Sequence, residues 1–379
     1  MTPRTQRTSQ EVVVTGVGLA LPGADTPREL LRPADTPRTP RAPLEPYDTG
    51  ARIGRRGHRY KDRATQLALC AALGALRDAD LIRGDGGDGR ELTVPGVTVG
   101  VVASSNLGNL DTACLTAAAI AKESVAGLSP MGLPNASSNV IASWAAIHFG
   151  LRGPNLMLCN GATSGLDAVH WAATLVTAGR VRRALVIGVE TRNPVVEGLL
   201  HGSSDGLADG LADSSAEEPL LDGAAALVVE GAAWARDRGA APAAVLGRYE
   251  RRAELAACVE ALVPGDRTPG VWFTPEGYGT PRDAEAGCRG VPTPLPETVP
   301  RHDLTAAFGR ASGALGVLQC AAAVGWLGEA GTGAGAGAGA GAEALVTSGD
   351  DAADAVAALL LGPPGRPSAE PRQPGGAAA

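Results

Sequence analysis

Cys159 and His170 are the side chains with which nucleophilic chemistry would start, because they flank a glycine-containing turn leading into an apolar helix, predicted at Ser164–Ala178. A thiolate near a helix N-terminus is a good nucleophile, and an adjacent histidine is its usual base. Cys159, however, ends the apolar run Leu156–Leu158, a position typical of a buried strand thiol that packs as a small apolar group. His170 lies inside the helix and is typical of a core or interface histidine. Neither residue by itself predicts a catalytic centre.

The turn between them resembles a known catalytic segment. Residues 162–169 read A-T-S-G-L-D-A-V, which resembles the nucleophile segment A-C-A/S-S-G-L-D-A of the β-ketoacyl synthases. Alignment on Ser164–Asp167 places Ala162 where the family has its cysteine. The resemblance extends from about residue 11 to about residue 361, with landmarks V-V-V-T-G-V-G at 12–18, D-R-A-T-Q-L-A-L at 62–69, L-P-N at 133–135 and H-F-G-L-R-G-P-N at 148–155.

The resemblance implies that every reactive position of the family is changed in this chain. The family places its cysteine at the N-terminus of a buried helix, and two histidines and a lysine lie in later motifs. Here Glu276 occupies the first histidine position, Thr305 the lysine position and Arg310 the second histidine position. An ionised carboxylate only accepts hydrogen bonds, and an arginine is not a base at neutral pH. We therefore expect no catalytic residue, and we hypothesise that Glu276 and Arg310 form an ion pair; two unrelated exposed charges are the alternative.

An apolar helix followed by a strand occurs twice in the chain. The helix at Ser164–Ala178 precedes the β-branched run Arg183–Val189, and a second helix from Ser312 to about Leu327 precedes Ala344–Ser348. Two such copies suggest a pseudo-symmetric α/β protein. The family resemblance implies the thiolase-like fold, in which two α/β halves form a five-layered α-β-α-β-α arrangement. We expect the halves at residues 11–240 and 241–361.

Three segments have compositions that predict no ordered structure. They are the polar N-terminus 1–10, the glycine- and alanine-rich loop 331–342 and the proline- and glycine-rich tail 362–379. Segments with so few large apolar side chains cannot offset the entropy lost on ordering.

The composition of the whole chain excludes several classes of protein. A formal charge of −7 over 379 residues disfavours nucleic acid as a partner. The N-terminus lacks the apolar core of a secretory signal, and no apolar run long enough to span a bilayer is apparent, so we expect a cytoplasmic protein without membrane contact. Six scattered cysteines predict reduced, mostly buried thiols. We expect no metal and no cofactor.

Within the family, the missing cysteine resembles the chain length factors of type II polyketide synthases. Such a subunit pairs with a cysteine-containing ketosynthase and shapes the tunnel in which a growing polyketide is held. The resemblance implies three partners: the catalytic subunit, an acyl carrier protein bound transiently, and the polyketide chain itself. Chain length factors of aromatic pathways typically carry glutamine where Ala162 lies, so alanine favours the highly reducing, polyene-forming branch.

The resemblance also assigns a tunnel and a dimer interface. The tunnel would be lined by the helix after Ser104–Gly108, where Asn109, Thr112 and Thr116 share one face by three- and four-residue spacing. A partly solvated helix face is the alternative. The predicted interface residues are Leu133, Pro134, Asn135, Asn155, Met157 and Cys159.

Two other functions remain open. One is an acyl-transfer enzyme that uses Cys159, which covalent labelling by an acyl thioester would reveal. The other is a non-catalytic scaffolding homodimer that binds an acyl carrier protein without forming a tunnel.

Overall fold

The computed structural model describes residues 11–32, 45–83, 91–201, 219–265, 267–278, 294–331, 342–351 and 355–365. The predicted N-terminal segment 1–10, nearly all of the predicted loop 331–342 and most of the predicted tail 362–379 lie outside the described residues.

Ten strands are present in the described part of the chain. They are β1 (Val12–Ala20), β2 (Val99–Ser104), β3 (Asn155–Leu158), β4 (Arg183–Glu190), β5 (Gly223–Gly231), β6 (Ala244–Arg252), β7 (Val271–Phe273), β8 (Arg301–His302), β9 (Ala344–Asp350) and β10 (Ala355–Gly362). Their order is β3-β2-β4-β5-β1-β6-β10-β9-β7-β8.

The strand order repeats about the junction between β1 and β6. In the first half, β2 runs parallel to β3 and β4, and β5 is antiparallel to β4 and β1. In the second half, β7 runs parallel to β8 and β9, and β10 is antiparallel to β9 and β6. Each half therefore has the same order and the same directions. The halves meet where Val12–Val14 pairs with Ala244–Leu246.

Ten α-helices accompany these strands in the described residues. They are α1 (Thr49–Ile53), α2 (Arg63–Asp78), α3 (Leu110–Glu123), α4 (Val140–Phe149), α5 (Ser164–Thr177), α6 (Pro194–His201), α7 (Ala232–Asp237), α8 (Leu255–Leu262), α9 (Thr305–Phe308) and α10 (Leu315–Gly331). Short 3-10 turns lie at Pro27–Leu31, Gly96–Thr98, Val125–Gly127, Leu133–Ala136 and Ser312–Ala314.

The buried apolar side chains form three clusters, which lie between five layers of helices and sheet. Successive side chains of a strand point to opposite faces, so Leu185 and Ile187 of β4 pack with α2 and α4, whereas Val186 faces the central helices α5 and α10. In the second half, Leu360 of β10 packs with α8 and Leu359 faces the centre. The layers are thus helix, sheet, helix, sheet and helix, as the family resemblance predicted.

The two central helices contact each other through glycine. A Cβ built on Gly165 of α5 would lie 2.7 Å from the Gly316 nitrogen of α10, and one on Gly316 would lie 2.4 Å from the Leu166 nitrogen. Only glycine allows backbones to approach this closely. This contact fixes the N-terminus of α5 against the start of α10.

One helix among the described residues is long and apolar enough to cross a membrane. Residues Ser312–Ala330 have a mean hydropathy of 1.2, and 72% of this span is buried inside the protein. The expectation that no apolar stretch reaches such a length is wrong for this helix. It is apolar on all sides because both halves of the sheet cover it.

Candidate functional site

The turn before α5 brings Ala162 to the N-terminus of a central helix. Gly161 has a φ of +88°, which turns the chain, and Thr163 and Ser164 are buried immediately after it. Ala162 is partly exposed in this turn. Its methyl group can neither attack a thioester nor hold an acyl group.

Asn106 ties this turn to the start of α10. Its Nδ2 donates to the Gly161 carbonyl and to Ser312 Oγ, each at 2.9 Å, and its Oδ1 accepts from Ser164 Oγ at 3.0 Å. A single amide thus links the Ala162 turn with residues that precede the second central helix. The structure therefore brings together two segments that are about 150 residues apart in sequence.

Glu276 and Arg310 form an ion pair at this second turn. Arg310 Nε donates to Glu276 Oε1 at 2.7 Å, while Ala311 N and Ser312 N donate to Glu276 Oε2 at 3.2 and 3.0 Å. The hypothesised pairing is confirmed, and the two backbone donors extend it. Both oxygens of Glu276 therefore act as acceptors, in charge-assisted hydrogen bonds from one guanidinium and two backbone N–H groups.

Thr305 precedes Arg310 in the same loop, and its hydrogen bonds join it to nearby residues of that loop. Its backbone nitrogen and Oγ1 donate to Asp303 Oδ1 at 2.9 and 2.6 Å, which starts the short helix α9. The Thr305 carbonyl accepts from Gly309 N at 2.8 Å at the other end. Thr305 thus shapes the loop that carries Arg310.

Glu190 is a buried carboxylate that sequence reasoning did not identify. It ends β4 and accepts hydrogen bonds from Asn106 N at 2.6 Å, Leu107 N at 3.1 Å, Gly313 N at 3.1 Å and Ser105 Oγ at 3.2 Å. Burial raises its pKa to about 7, although these donors act in the opposite direction. An acidic residue at the end of an apolar strand was the available sequence signal.

Glu190 should make the stability of the protein depend on pH. Because its pKa is about 7 in the folded state against 4.5 normally, the folded state binds the proton more tightly. The free energy of unfolding should therefore fall as pH rises from about 5 to about 7, by about 3 kcal/mol from this group. In Glu190→Gln this contribution should disappear, so that the variant loses less stability than the wild type between pH 5 and pH 8. Chemical unfolding at both pH values measures it; equal losses in the two proteins would contradict the assignment.

A second polar cluster surrounds Asp167 inside the first turn of α5. Asp167 accepts from Thr163 Oγ1 at 2.9 Å and from the Tyr249 hydroxyl, and burial raises the pKa of Tyr249. The His170 ring stacks on Tyr249 with centroids 4.1 Å apart, and burial lowers the pKa of His170. His170 is nevertheless exposed in the single chain, so it is not a core histidine; its interpretation as an interface residue stays a prediction.

The cysteines differ in part from their prediction. Cys70, Cys258 and Cys320 are buried, and burial raises the pKa of Cys70 to about 12 and of Cys258 to about 11. Cys159, predicted to be a buried strand thiol, is exposed, and so is Cys114 on α3. The prediction for Cys159 is wrong because β3 is the edge strand of the sheet, so the chain beyond it is not covered. No disulfide joins the described cysteines.

The predicted tunnel residues lie on the better covered face of α3. Asn109, Thr112 and Thr116 are partly buried, whereas Cys114, Leu115 and the next outward-facing residues are exposed. Thr116 Oγ1 donates to the Thr112 carbonyl at 2.8 Å. Asn109, in contrast, bonds outside the helix. Its Nδ2 donates to the carbonyls of Asn135 and Ser137 at 3.2 and 2.9 Å and so stabilises the neighbouring turn.

The predicted interface residues fall into two groups. Asn135 is only 5% exposed and donates to the Tyr60 carbonyl, so its side chain anchors the turn from within and is unavailable to a partner. Asn155 Nδ2 donates to the Ala142 carbonyl at 2.8 Å. Asn155 is nevertheless exposed, and the remaining residues are also exposed or partly exposed at the surface: Leu133, Pro134, Met157 and Cys159.

An exposed apolar face surrounds these residues. It consists of Leu115 and Ile120 on α3 and of Val125, Met131 and Leu133 on the adjoining turns, with exposures between 44% and 71%. None of the α3 residues is buried. A helix with exposed apolar side chains and no fully buried residue in the single chain is typical of a surface that packs against another protein.

Comparisons with known proteins support the resemblance seen in the sequence. Residues 46–208 match the model of the β-ketoacyl synthase N-terminal domain. The chain is 27% identical over 364 residues to the granaticin polyketide β-ketoacyl synthase 1 of Streptomyces violaceoruber, covering 83% of this chain and 85% of that protein. It is 26% identical over 148 residues to 3-oxoacyl-[acyl-carrier-protein] synthase 2 of Vibrio harveyi, covering 39% and 34% of the two chains.

Solved structures share the fold over nearly the whole chain. The ishigamide ketosynthase/chain length factor superposes with a TM-score of 0.67 at 24% identity, covering 94% of this chain and all of that one. A type II polyketide ketosynthase in complex with its acyl carrier protein, AntDE:AntF, gives a TM-score of 0.68 at 18% identity, with 93% and 99% coverage. The thiolase-like ketosynthase fold is thereby confirmed. The chain is thus similar to β-ketoacyl synthases, including one of a polyketide pathway, and shares its fold with a ketosynthase/chain length factor.

Proposed function

We propose that this chain is a non-catalytic chain length factor that pairs with a cysteine-containing ketosynthase. In this role it shapes the tunnel for polyketide elongation by decarboxylative condensation of malonyl groups carried on an acyl carrier protein. The observation that carries the proposal is Ala162, which lies at the N-terminus of a central helix where the related ketosynthases are inferred to have their cysteine.

The charges near Ala162 also support a non-catalytic chain. A condensing site needs a thiolate and groups that stabilise the loss of carbon dioxide. Glu276 would instead add a negative charge, and its two oxygens already accept three hydrogen bonds. The Arg310 guanidinium donates a hydrogen bond to this carboxylate.

The surface supports a partner chain. The exposed apolar face of α3 and its adjoining turns needs a cover, and β3 leaves one edge of its backbone unpaired within the described chain. A free strand edge readily pairs with a strand of another chain. We infer that the catalytic subunit covers both features, with Leu133, Pro134, Met157 and Cys159 in the contact. The acyl carrier protein then visits the assembled pair transiently.

We further propose the highly reducing, polyene-forming branch for this chain. The proposal rests on Ala162, whose methyl group supplies no polar atom at a position where aromatic-pathway relatives are expected to carry an amide.

The proposed interface predicts that a charge on the apolar face prevents assembly. Leu115→Glu buries a carboxylate in the contact, which should weaken binding of the catalytic subunit about tenfold or more. Co-purification of the two chains measures this. Val97→Glu is the matched control, because Val97 is also exposed (62%) but lies before β2, whereas α3 begins after the other end of that strand. Equal recovery of the partner with Leu115→Glu and wild type would contradict the proposed interface.

One observation favours an alternative function, acyl transfer. Cys159 is exposed near the same turn and could carry an acyl group if the chain were an acyl-transfer enzyme. Incubation of the purified chain with an acyl thioester, followed by mass spectrometry of the intact protein, distinguishes the two functions. Labelling at Cys159 with turnover would favour the transferase, and an unlabelled chain favours the non-catalytic subunit. A stable homodimer that ignores the catalytic subunit would instead favour a scaffold.

A further inference from the structure

Three hydrogen-bond donors of one turn converge on Glu276. The Arg310 guanidinium and the consecutive backbone nitrogens of Ala311 and Ser312 all lie within 3.2 Å of its carboxylate oxygens. A guanidinium combined with adjacent backbone N–H groups at the start of a helix is an arrangement that binds anions in many proteins. In this chain the anion is part of the protein.

The turn is held in place by contacts that do not involve Glu276. Arg310 N donates to the Pro219 carbonyl at 2.8 Å, and Ser312 Oγ accepts from Asn106 Nδ2 at 2.9 Å. Gly313 N donates to Glu190 at 3.1 Å. Each end of the turn therefore has its own anchor. The donors should keep their positions when the Glu276 side chain is removed.

The turn that holds the Glu276 carboxylate is linked to the segment that carries Ala162. Asn106 joins Ser312 directly to the Gly161 carbonyl, one residue before Ala162. The side chains of Glu276 and Arg310 are 17% and 36% exposed, so the site can be reached from solvent. A small carboxylate that reached this turn from solvent would meet the donors that Glu276 already occupies.

We propose that the Arg310–Ser312 turn is a carboxylate-binding site that the chain fills with its own Glu276, which keeps the carboxylates of incoming molecules from binding at this turn. The binding site stands on the geometry alone. The statement that the excluded molecules are carboxylate-bearing acyl substrates rests on the proposed function.

Acetate rescue of Glu276→Ala tests the site on the isolated chain. Removing the side chain vacates the donors, so the variant should melt below the wild type and recover in sodium acetate, with a saturable rise in Tm of about 2 °C over sodium chloride of the same ionic strength. The wild type and Glu260→Ala, which removes an exposed carboxylate on α8, should show no saturable rise. Adding Arg310→Ala to Glu276→Ala should abolish the rescue.

The outcomes decide the proposal in either direction. An acetate response of Glu276→Ala that equals the wild-type response overturns it, and so does a rescue that survives Arg310→Ala. If Glu276→Ala does not fold in chloride, its refolding yield becomes the readout: recovery in acetate alone supports the site, and failure in both salts overturns it. Because neither the partner nor an acyl carrier protein is present, the result is independent of whether the heterodimer forms.

Discussion

Replacing Gly165 with alanine is expected to destabilise the fold by about 3 kcal/mol. The new methyl group would lie 2.7 Å from the Gly316 nitrogen and 3.0 Å from the Gly313 carbonyl oxygen. Both are backbone atoms of the segment that starts α10, and this segment is also held by Glu190 and Asn106. Neither helix can move without breaking these contacts, so the strain cannot be relieved locally. Denaturant unfolding monitored by circular dichroism measures the loss.

Gly328→Ala provides the matched control on α10. Nothing lies within 4 Å of a Cβ built there, and the residue is exposed. Alanine has the higher helix propensity, so this substitution should stabilise the protein by up to about 1 kcal/mol. Similar effects of the two alanines, with the same sign, would show that the contact between α5 and α10 is looser than described.

Thr116→Trp is expected to shorten the polyketide made by the heterodimer by one or more condensation steps. Thr116 is partly buried on the side of α3 that we propose lines the tunnel, and an indole has a much larger volume than the threonine side chain that it would replace. A growing chain would then reach the blocked end sooner. Mass spectrometry of the released product, made with the catalytic subunit and a malonyl-loaded acyl carrier protein, measures the length.

Thr116→Ser separates tunnel filling from damage to the helix. Serine keeps a hydroxyl that can donate to the Thr112 carbonyl, as Thr116 Oγ1 does at 2.8 Å, and adds no volume. Its product should have the wild-type length. Normal product length from a Thr116→Trp heterodimer that still assembles would remove α3 from the tunnel.

The repeated fold could be predicted because burial leaves a local signal. The strands Arg183–Glu190 and Ala344–Asp350 are buried over nearly their whole length, and the apolar stretches within them, residues 184–189 and 344–346, follow apolar helices. The short partner strand Arg301–His302 has no such pattern and was not predicted. Two residues are too few to show a period.

The site could be predicted only in part, because its contacts join distant segments. The family motifs indicated Ala162, Glu276 and Arg310, and the ion pair between the last two followed from their charges. Nothing near Asn106 or Glu190 indicates that they contact residues 206 and 123 positions away, at Ser312 and Gly313. Such contacts depend on the crossing of α5 and α10, which no local pattern encodes.

Cys159 shows the opposite error. An apolar run predicted that its thiol would be buried, but a run of three apolar residues does not distinguish a central strand from an edge strand. Because the Cys159 thiol is exposed, its reactivity most needs a direct test.

The decisive measurement is condensation by the two chains purified together, assayed by mass spectrometry with a malonyl-loaded acyl carrier protein. We predict that product formation requires both chains, survives Cys159→Ala in this chain and is lost when the partner's nucleophilic cysteine is replaced. Condensation or acyl labelling by this chain alone would contradict this prediction.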